Sequence, residues 1–430
     1  MEREASAERM ITPGQIVTLT IEKPAAGGRM IARLDGRIAL VGGAIPGERV
    51  RVRIERVAKG VVYGETIEVE EASADRRPFV DPSCGGCLYG HIAYPRQLAI
   101  KAQVIEDAFR RIGRLALPSV PGVAASPEDG YRMRARLHAG GGRIGFFREG
   151  THAVCDPRHT RQLLPATCET VEALEQTIHS VGLDEIREIV LSENVDASER
   201  VVFVDAASAI DAGAMESLAA TPGLTGCVSA FGSSGSPSVI DRVTVADGVE
   251  VALRRHVLAF FQGNRHLLAP FVAHVVGLVP TSGRLLDLYA GVGLFAVSAA
   301  AARGVDVTAV EGDRVAAADL ASNAASAAGP VEAVHQSVED FVAARARGGP
   351  FAAVIADPPR TGMSREALDG IVAHRPARAI YVSCDVATLA RDARRLVDAG
   401  YAVSRIDAFD LFPNTPHVET VVVFDRTTQG

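Results

Sequence analysis

From Glu48 to Ile54 the chain alternates strictly, with Val50, Val52 and Ile54 on one side and Arg49, Arg51 and Arg53 on the other. That period of two predicts a strand with one buried and one solvated face. Gln15–Ile21 has the same strand composition, and Gly27-Gly28, Gly42-Gly43 and Gly60 punctuate the runs as turns. Residues 10–70 therefore read as about five short strands, which suits a small Greek-key barrel. Residues 75–255 mix strand and helix patterns with Gly/Ser-rich turns such as Gly232–Ser236, predicting an α+β middle domain. Around residue 256 the texture changes again. Uninterrupted apolar runs now alternate with Ala-rich helical stretches, the pattern of a parallel sheet covered on both faces, so residues 256–430 predict a doubly wound α/β domain.

Length agrees with several domains, since 430 residues exceed what one core usually serves. No internal repeat is visible. The start, Met1–Ser6, is charged and lacks the apolar region of a secretory signal, and no run reaches the roughly 18 apolar residues of a membrane span. With only 6 cysteines, unevenly spaced, a secreted disulfide scaffold is not indicated, and a cytoplasmic, non-membrane protein is expected. The net charge of −7 hides two basic stretches. One holds Arg29, Arg33, Arg37, Arg49, Arg51, Arg53, Arg56 and Lys59; the other holds Arg132, Arg134, Arg136, Arg143, Arg148, Arg158 and Arg161. Each could be a solvated face or a surface for a phosphate backbone, because local charge is what a polyanion meets.

Leu285–Leu288 followed by Tyr289-Ala290-Gly291-Val292-Gly293-Leu294-Phe295-Ala296 reads as strand, Gly-rich turn and helix. Gly291, Gly293 and Ala296 keep the spacing that lets backbone approach a nucleotide ligand. The next strand ends in Glu311, placed to accept from ribose hydroxyls. Asp287 at the turn would repel a pyrophosphate but not a cation. S-adenosylmethionine (SAM), which has a ribose and a sulfonium but no phosphate, therefore fits better than a dinucleotide.

Phe351–Ala356 is a third strand running into Asp357-Pro358-Pro359-Arg360, where the prolines force an extended exit at the sheet's carboxyl edge. Arg360 stands where enzymes that methylate exocyclic amines often carry an aromatic residue, which argues against that chemistry. Ala379–Ser383 then delivers Cys384 to the same edge. A lone cysteine is most often a small buried hydrophobe, but this one comes with a downstream tail, Phe412–Glu419, that carries His417 and Glu419. Glu419 lies between Val418 and Thr420 in an apolar run, and burial would raise its pKa toward that of a useful base.

The first segment resembles a TRAM domain, an RNA-binding barrel of OB type. The order of motifs from Phe260-Phe261-Gln262-Gly263-Asn264 through Asp287, Asp357–Arg360, Ser383-Cys384 and Phe412–Glu419 resembles the RNA uracil-C5 methyltransferases, which make 5-methyluridine in 23S rRNA and tRNA. The resemblance implies a SAM-dependent methyltransferase domain, with Gln262, Tyr289, Glu311 and Asp357 at the cofactor. It gives Cys384 the role of nucleophile at uracil C6 and Glu419 that of the group removing the C5 proton, with His417 ordering the tail. It further implies action on a uridine flipped from an RNA loop, 23S rRNA ahead of tRNA, and a monomer is expected. A non-catalytic RNA-binding protein on a degenerate methyltransferase fold is the rival reading; the presence of both Cys384 and Glu419 speaks against it. No C-x3-C-x2-C motif occurs, which excludes a radical SAM enzyme.

Two departures stand out. Several members of that family hold a [4Fe–4S] cluster on C-x5-C-x2-C and a distant fourth cysteine. Here Cys84 and Cys87 keep the central pair, the only metal-site candidates, while Pro78 takes the first position and the fourth falls near Thr160, with Cys155 close by. The expectation is a remnant rather than an intact cluster site. Val386 replaces the proline usual two residues after the reactive cysteine.

Overall fold

The structure is a computed structural model, described for residues 11–78, 83–183, 185–246, 248–344 and 351–427. The charged start Met1–Ser6 lies outside the described residues. Strands β1 (Ile16–Pro24), β2 (Met30–Leu34), β3 (Arg37–Gly42), β4 (Arg49–Ala58) and β5 (Val61–Glu71) close a barrel in the order β1-β2-β3-β5-β4. Val50, Val52 and Ile54 fill its interior, as their alternation predicts. The outward arginines are not all available to a polyanion. Arg49 pairs with Glu70 at 2.8 Å and Arg51 with Glu68, so β5 neutralises part of the basic stripe on β4.

Helix α1 (Tyr94–Ala108) opens with Pro95 in its first turn, where a missing N–H costs nothing. It buries Ile105 against the core beneath the last domain, and strand β6 (Val123–Ala124) joins that domain's sheet. The middle sheet is built from β7 (Arg134–Gly140), β8 (Arg143–Phe147), β9 (Val154–Cys155), β10 (Ile186–Glu193), β11 (Arg200–Ala206), β12 (Gly226–Ser229) and β13 (Gly232–Gly235). Its order is β13-β12-β11-β10-β7-β8-β9. Helices α2 (Pro165–Ser180) and α3 (Ala212–Ala219) pack Leu174 and Leu218 with Leu137, Ile189 and Val202. The Gly/Ser-rich run at 232–236, expected as a turn, instead forms the edge strand β13. A Cβ on Gly226 would lie 1.9 Å from Ser236 O, so the close approach of these two backbones requires glycine.

The hairpin β14 (Ser238–Ala246) and β15 (Val249–His256) precedes the boundary expected near residue 256, yet it belongs to the core of the domain that follows. It packs Val243, Val245, Val251 and Leu253 into the core that also holds Phe271 and Val275 of α4 (Leu268–Gly277). Then come β16 (Leu285–Leu288), α5 (Leu294–Arg303), β17 (Val307–Glu311), α6 (Arg314–Ala325), β18 (Val331–His335), α7 (Val338–Ala344), β19 (Ala353–Ala356), α8 (Arg365–His374), β20 (Arg378–Ser383), α9 (Val386–Asp398), β21 (Tyr401–Phe409) and β22 (Glu419–Arg426). The sheet order is β18-β17-β16-β19-β20-β22-β21-β6. It is parallel from β18 to β20, and β22 runs antiparallel between β20 and β21. The chain reverses direction across the sheet between β16 and β19, which opens a crevice at their carboxyl ends. Strand β18, which the sequence pattern did not reveal, sits at the sheet's edge with every residue at least partly exposed, so it lacks an apolar run. Among the described residues no helix is long and apolar enough to cross a membrane.

Candidate active site

The Gly-rich turn leaves β16 with Tyr289 at φ 60° and enters α5 through Gly293 at φ 93°. The positive φ at Gly293 requires glycine, and a Cβ there would also press on the end of the Leu320 side chain at 2.8 Å. The turn is anchored from the next strand: Ala290 N donates to Val310 O at 3.0 Å, and Gly291 N donates to Glu311 Oε2 at 2.7 Å. Phe260, Gln262, Tyr289, Gly291, Leu294 and Asp357 line one pocket here. Three of the four expected cofactor residues thus share a cavity, and Glu311 touches its Gly291 wall. Gln262 Nε2 donates to Asp357 Oδ2 at 3.0 Å.

Asp287 is not at the mouth of the turn but fully buried in β16, and neither carboxylate oxygen meets a donor in full hydrogen-bond geometry, although the nearby Ala296 N–H opposes the rise in its pKa. Burial first, then Asp357, pushes its pKa well above the usual carboxylate range. A neutral Asp287 would not repel phosphate, which weakens the argument from charge repulsion. Two under-satisfied oxygens beneath the pocket nevertheless suit a ligand that brings donors or positive charge, which would draw the pKa back down. The sulfonium and amino groups of SAM meet that requirement, so the residues present fit this cofactor.

Asp357 begins the loop after β19, and burial lifts its pKa to about 7 against the opposing bond from Gln262. The loop is held from α9. Asp392 Oδ2 accepts from Met363 N at 2.9 Å and from Tyr381 Oη at 2.8 Å, and Thr388 Oγ1 donates to Arg360 O at 3.2 Å. Cys384 follows β20 directly, and Asp385 caps α9 by accepting from Thr388 N at 2.8 Å. The Cys384 thiol is half-buried. Burial and then Glu419 push its pKa to about 12, with Arg360 pulling the other way. Glu419 opens β22. Because Ser383 pairs with Thr420, the next positions outward, Cys384 and Glu419, face each other across the two strands. Glu419 is 2% exposed, its Oε1 has no partner, and burial followed by Asp357 raises its pKa well above normal.

The irregular tail between β21 and β22 is tied down by residues from elsewhere. Gln97 and Lys101, one turn apart on α1, reach its two arms. Gln97 Nε2 donates to Asn414 Oδ1 at 2.9 Å while Gln97 Oε1 accepts from Asn414 N at 3.0 Å. Buried Lys101 pairs with buried Asp410 and donates to Phe412 O at 3.1 Å. Asn264 Nδ2 donates to Leu411 O at 3.2 Å, and Asn414 itself is left-handed at φ 64°. His417 packs edge-on to Phe412, and burial, then Arg360, lowers its pKa to about 4, so it is neutral near pH 7. Gln97, Lys101 and Asp392 carry no signal in the sequence; only Asn264 lies within a recognisable motif.

Cys84 and Cys87 gather no ligand set among the described residues. Cys84 is disulfide-bonded to Cys155. Thr160, at the fourth position, lies beside Cys87, its carbonyl 3.9 Å from Cys87 Sγ, and its hydroxyl donates to Pro157 O at 2.7 Å. Among the described residues, no three His, Cys, Asp or Glu side chains gather as a metal would need. A four-thiolate cluster does not fit this cradle.

A switch-point crevice with a SAM-compatible pocket, flanked by a thiol and a buried carboxyl, defines a SAM-dependent methyltransferase. A family model described as tRNA (Uracil-5-)-methyltransferase matches residues 237–427, and a TRAM domain model matches residues 11–67. Proteins named 23S rRNA (uracil(1939)-C(5))-methyltransferase are similar over nearly the whole length. The one from Methylococcus capsulatus is 30% identical, covering 97% of this chain and 99% of its own. The one from an Azoarcus species is 31% identical, covering 95% and 99%. The crystal structure of the Pyrococcus abyssi tRNA (uracil-54, C5)-methyltransferase with S-adenosyl-L-homocysteine superposes with a TM-score of 0.75. It is 25% identical and covers 94% of this chain and 99% of that one. The chain belongs to the RNA uracil-C5 methyltransferase family, with an N-terminal TRAM domain.

Proposed function

We propose that this protein methylates C5 of a uridine in 23S rRNA through a covalent adduct on Cys384. The observation that carries the reading is the pairing of Ser383 with Thr420, which puts a thiol and a buried carboxyl face to face beside the cofactor pocket. C5 of uracil is a weak nucleophile. Attack of the Cys384 thiolate on C6 forms a C–S bond and moves the ring electrons into an enolate, which makes C5 nucleophilic. Bound in the pocket, SAM supplies the methyl group as an electrophile. Glu419 then accepts the C5 proton, the C5–C6 double bond re-forms, and the C–S bond breaks to return the thiolate. One proton is released overall.

The raised pKa values belong to the site without ligands. Both Cys384 and Glu419 must lose a proton to act, and a cation beside Asp357 favours ionisation of its carboxyl neighbours. Arg360 opposes the rise at both residues. The 23S rRNA assignment rests on the names of the full-length relatives. A tRNA substrate is the second reading, favoured by the Pyrococcus abyssi superposition. Mass spectrometry of rRNA and tRNA fragments from a deletion strain separates them. Loss of 5-methyluridine from a 23S fragment is expected; loss from tRNA alone selects the second reading, and an unchanged profile defeats both.

A further inference from the structure

Strand β7 starts at the active site and leads away from it. Met133 N donates to Gly263 O at 2.9 Å and Arg132 bridges to Asn264, so the strand's first residues adjoin the motif that lines the cofactor pocket. Ala135 and Leu137 face the middle-domain core, which turns Arg134, Arg136 and His138 to the other side. These three lie about 7 Å apart, two residues of strand rise each, a spacing that neighbouring phosphates of an extended single strand can match.

Among the described residues, Glu188 is the acidic group that acts on both arginines, so their charge is only partly offset. Arg134 donates to Leu258 O at 3.3 Å, its Nε has no partner, and burial with the nearby Arg255, Arg136 and Arg132 lowers its pKa to about 10. Among the described residues Arg136 has a single acidic contact, Glu188 at 3.2 Å, and its side chain stays 68% exposed. At the far end His138 and Phe147 stack face to face, centroids 3.7 Å apart and planes 3° from parallel. Glu149, two residues on, is within electrostatic reach of Glu65 on barrel strand β5, so the face runs from the site toward the barrel. At the site end stand Leu258 and Phe260, 37% and 61% exposed.

We propose that the outward face of β7 and β8 seats single-stranded RNA flanking the target uridine, with phosphates along Arg134 and Arg136 and one base stacked on the His138–Phe147 pair. This rests on the RNA-methylating reading and specifies where the substrate lies. Stacking on an aromatic face tolerates any base, so the surface fits an unpaired strand rather than a code for one sequence. It also explains how a uridine reaches the pocket: a strand already splayed along β7 needs only one further nucleotide turned inward.

Binding of fluorescein-labelled dodecauridylate to the full-length protein, read by anisotropy over a salt series, tests this. Phe147→Ala should weaken binding roughly five- to a hundredfold, with Phe147→Trp restoring it and SAM affinity unchanged. Arg136→Gln, on an exposed side chain, should lower the slope of log affinity against log salt by about one without affecting folding. It carries the test if Phe147→Ala does not fold. Folded variants that bind as wild type overturn the proposal, as does a blunt RNA duplex that binds as tightly and loses as much. Methyl transfer from labelled SAM to rRNA by the wild type is measured in parallel. Active wild type with unaffected variants defeats only this surface, whereas wild type that binds dodecauridylate but methylates no uridine defeats the underlying reading.

Discussion

Ser383 and Thr420 are paired across β20 and β22, so Cys384 and Glu419 stand opposite each other at the sheet's carboxyl edge although α9 and β21 separate them in the chain. A one-residue slip of β22 would turn Glu419 to the other face of the sheet. The relative placement of this thiol and this carboxyl is therefore written in the register of two strands.

That register predicts distinct fates for two variants. Glu419→Gln, incubated with SAM and substrate RNA, should accumulate a protein–RNA adduct that survives denaturing electrophoresis, with turnover reduced about 10²–10⁴-fold. Cys384→Ala should give neither adduct nor product. Normal turnover by Cys384→Ala would eliminate the thiol as nucleophile.

The protonation state of Cys384 can be read directly. Because burial and Glu419 raise its pKa to about 12, alkylation by iodoacetamide should be slow at neutral pH and accelerate about tenfold per pH unit through the alkaline range. A plateau near pH 8 would mean that the thiolate is already stabilised without substrate.

Asp287, Asp357 and Glu419 all have raised pKa values in the folded protein. The unfolded chain ionises these groups near pH 4, while the folded one keeps them protonated up to about pH 7 in the case of Asp357. Their contribution is complete below the unfolded value and is lost as pH rises through the folded one. The melting temperature of the ligand-free protein should accordingly fall between about pH 4 and pH 7, through the terms these three groups add. Asp287→Asn should flatten that decline and stabilise the protein at neutral pH, yet weaken SAM binding; a stabilised variant with unchanged SAM affinity would remove Asp287 from the cofactor site.

The Lys101–Asp410 pair is buried on both sides, at 1% and 0% exposure. Lys101→Met leaves an uncompensated carboxylate and should cost about 3–5 kcal/mol, measured by urea unfolding. Lys101→Met with Asp410→Leu should recover most of that loss, since it removes both charges.

The Cys84–Cys155 bond leaves thiols on Cys87, Cys168, Cys227 and Cys384. Peptide mapping without reductant should recover the Cys84–Cys155 pair, and purified protein should contain no stoichiometric iron. Reduction should lower stability by about 2–4 kcal/mol. Iron at four atoms per chain would overturn the disulfide assignment.

Much of this was legible because it rests on local pattern. Val50, Val52 and Ile54 announce the inner wall of the barrel, and the fully buried runs Leu285–Leu288 and Ala353–Ala356 announce strands covered on both faces. Other features had no local signal. Val331–His335 is a half-exposed edge strand, and the run at 232–236 pairs only because glycines let two backbones meet. Gln97 and Lys101 look like ordinary helix residues until α1 docks against the tail at Asp410–Asn414.

Sequence alone determined the kinds of groups present: a thiol after one strand, a carboxylate at the start of another, a Gly-rich turn for the cofactor. Periodicity and motif spacing are short-range properties, and they carry that much. Tertiary structure decided which groups meet and in what state. It set Cys384 opposite Glu419, enclosed Asp287 so that its charge is suppressed, and joined Cys84 to Cys155. Those outcomes depend on strand register, burial and the docking of distant segments, and no window of sequence contains them.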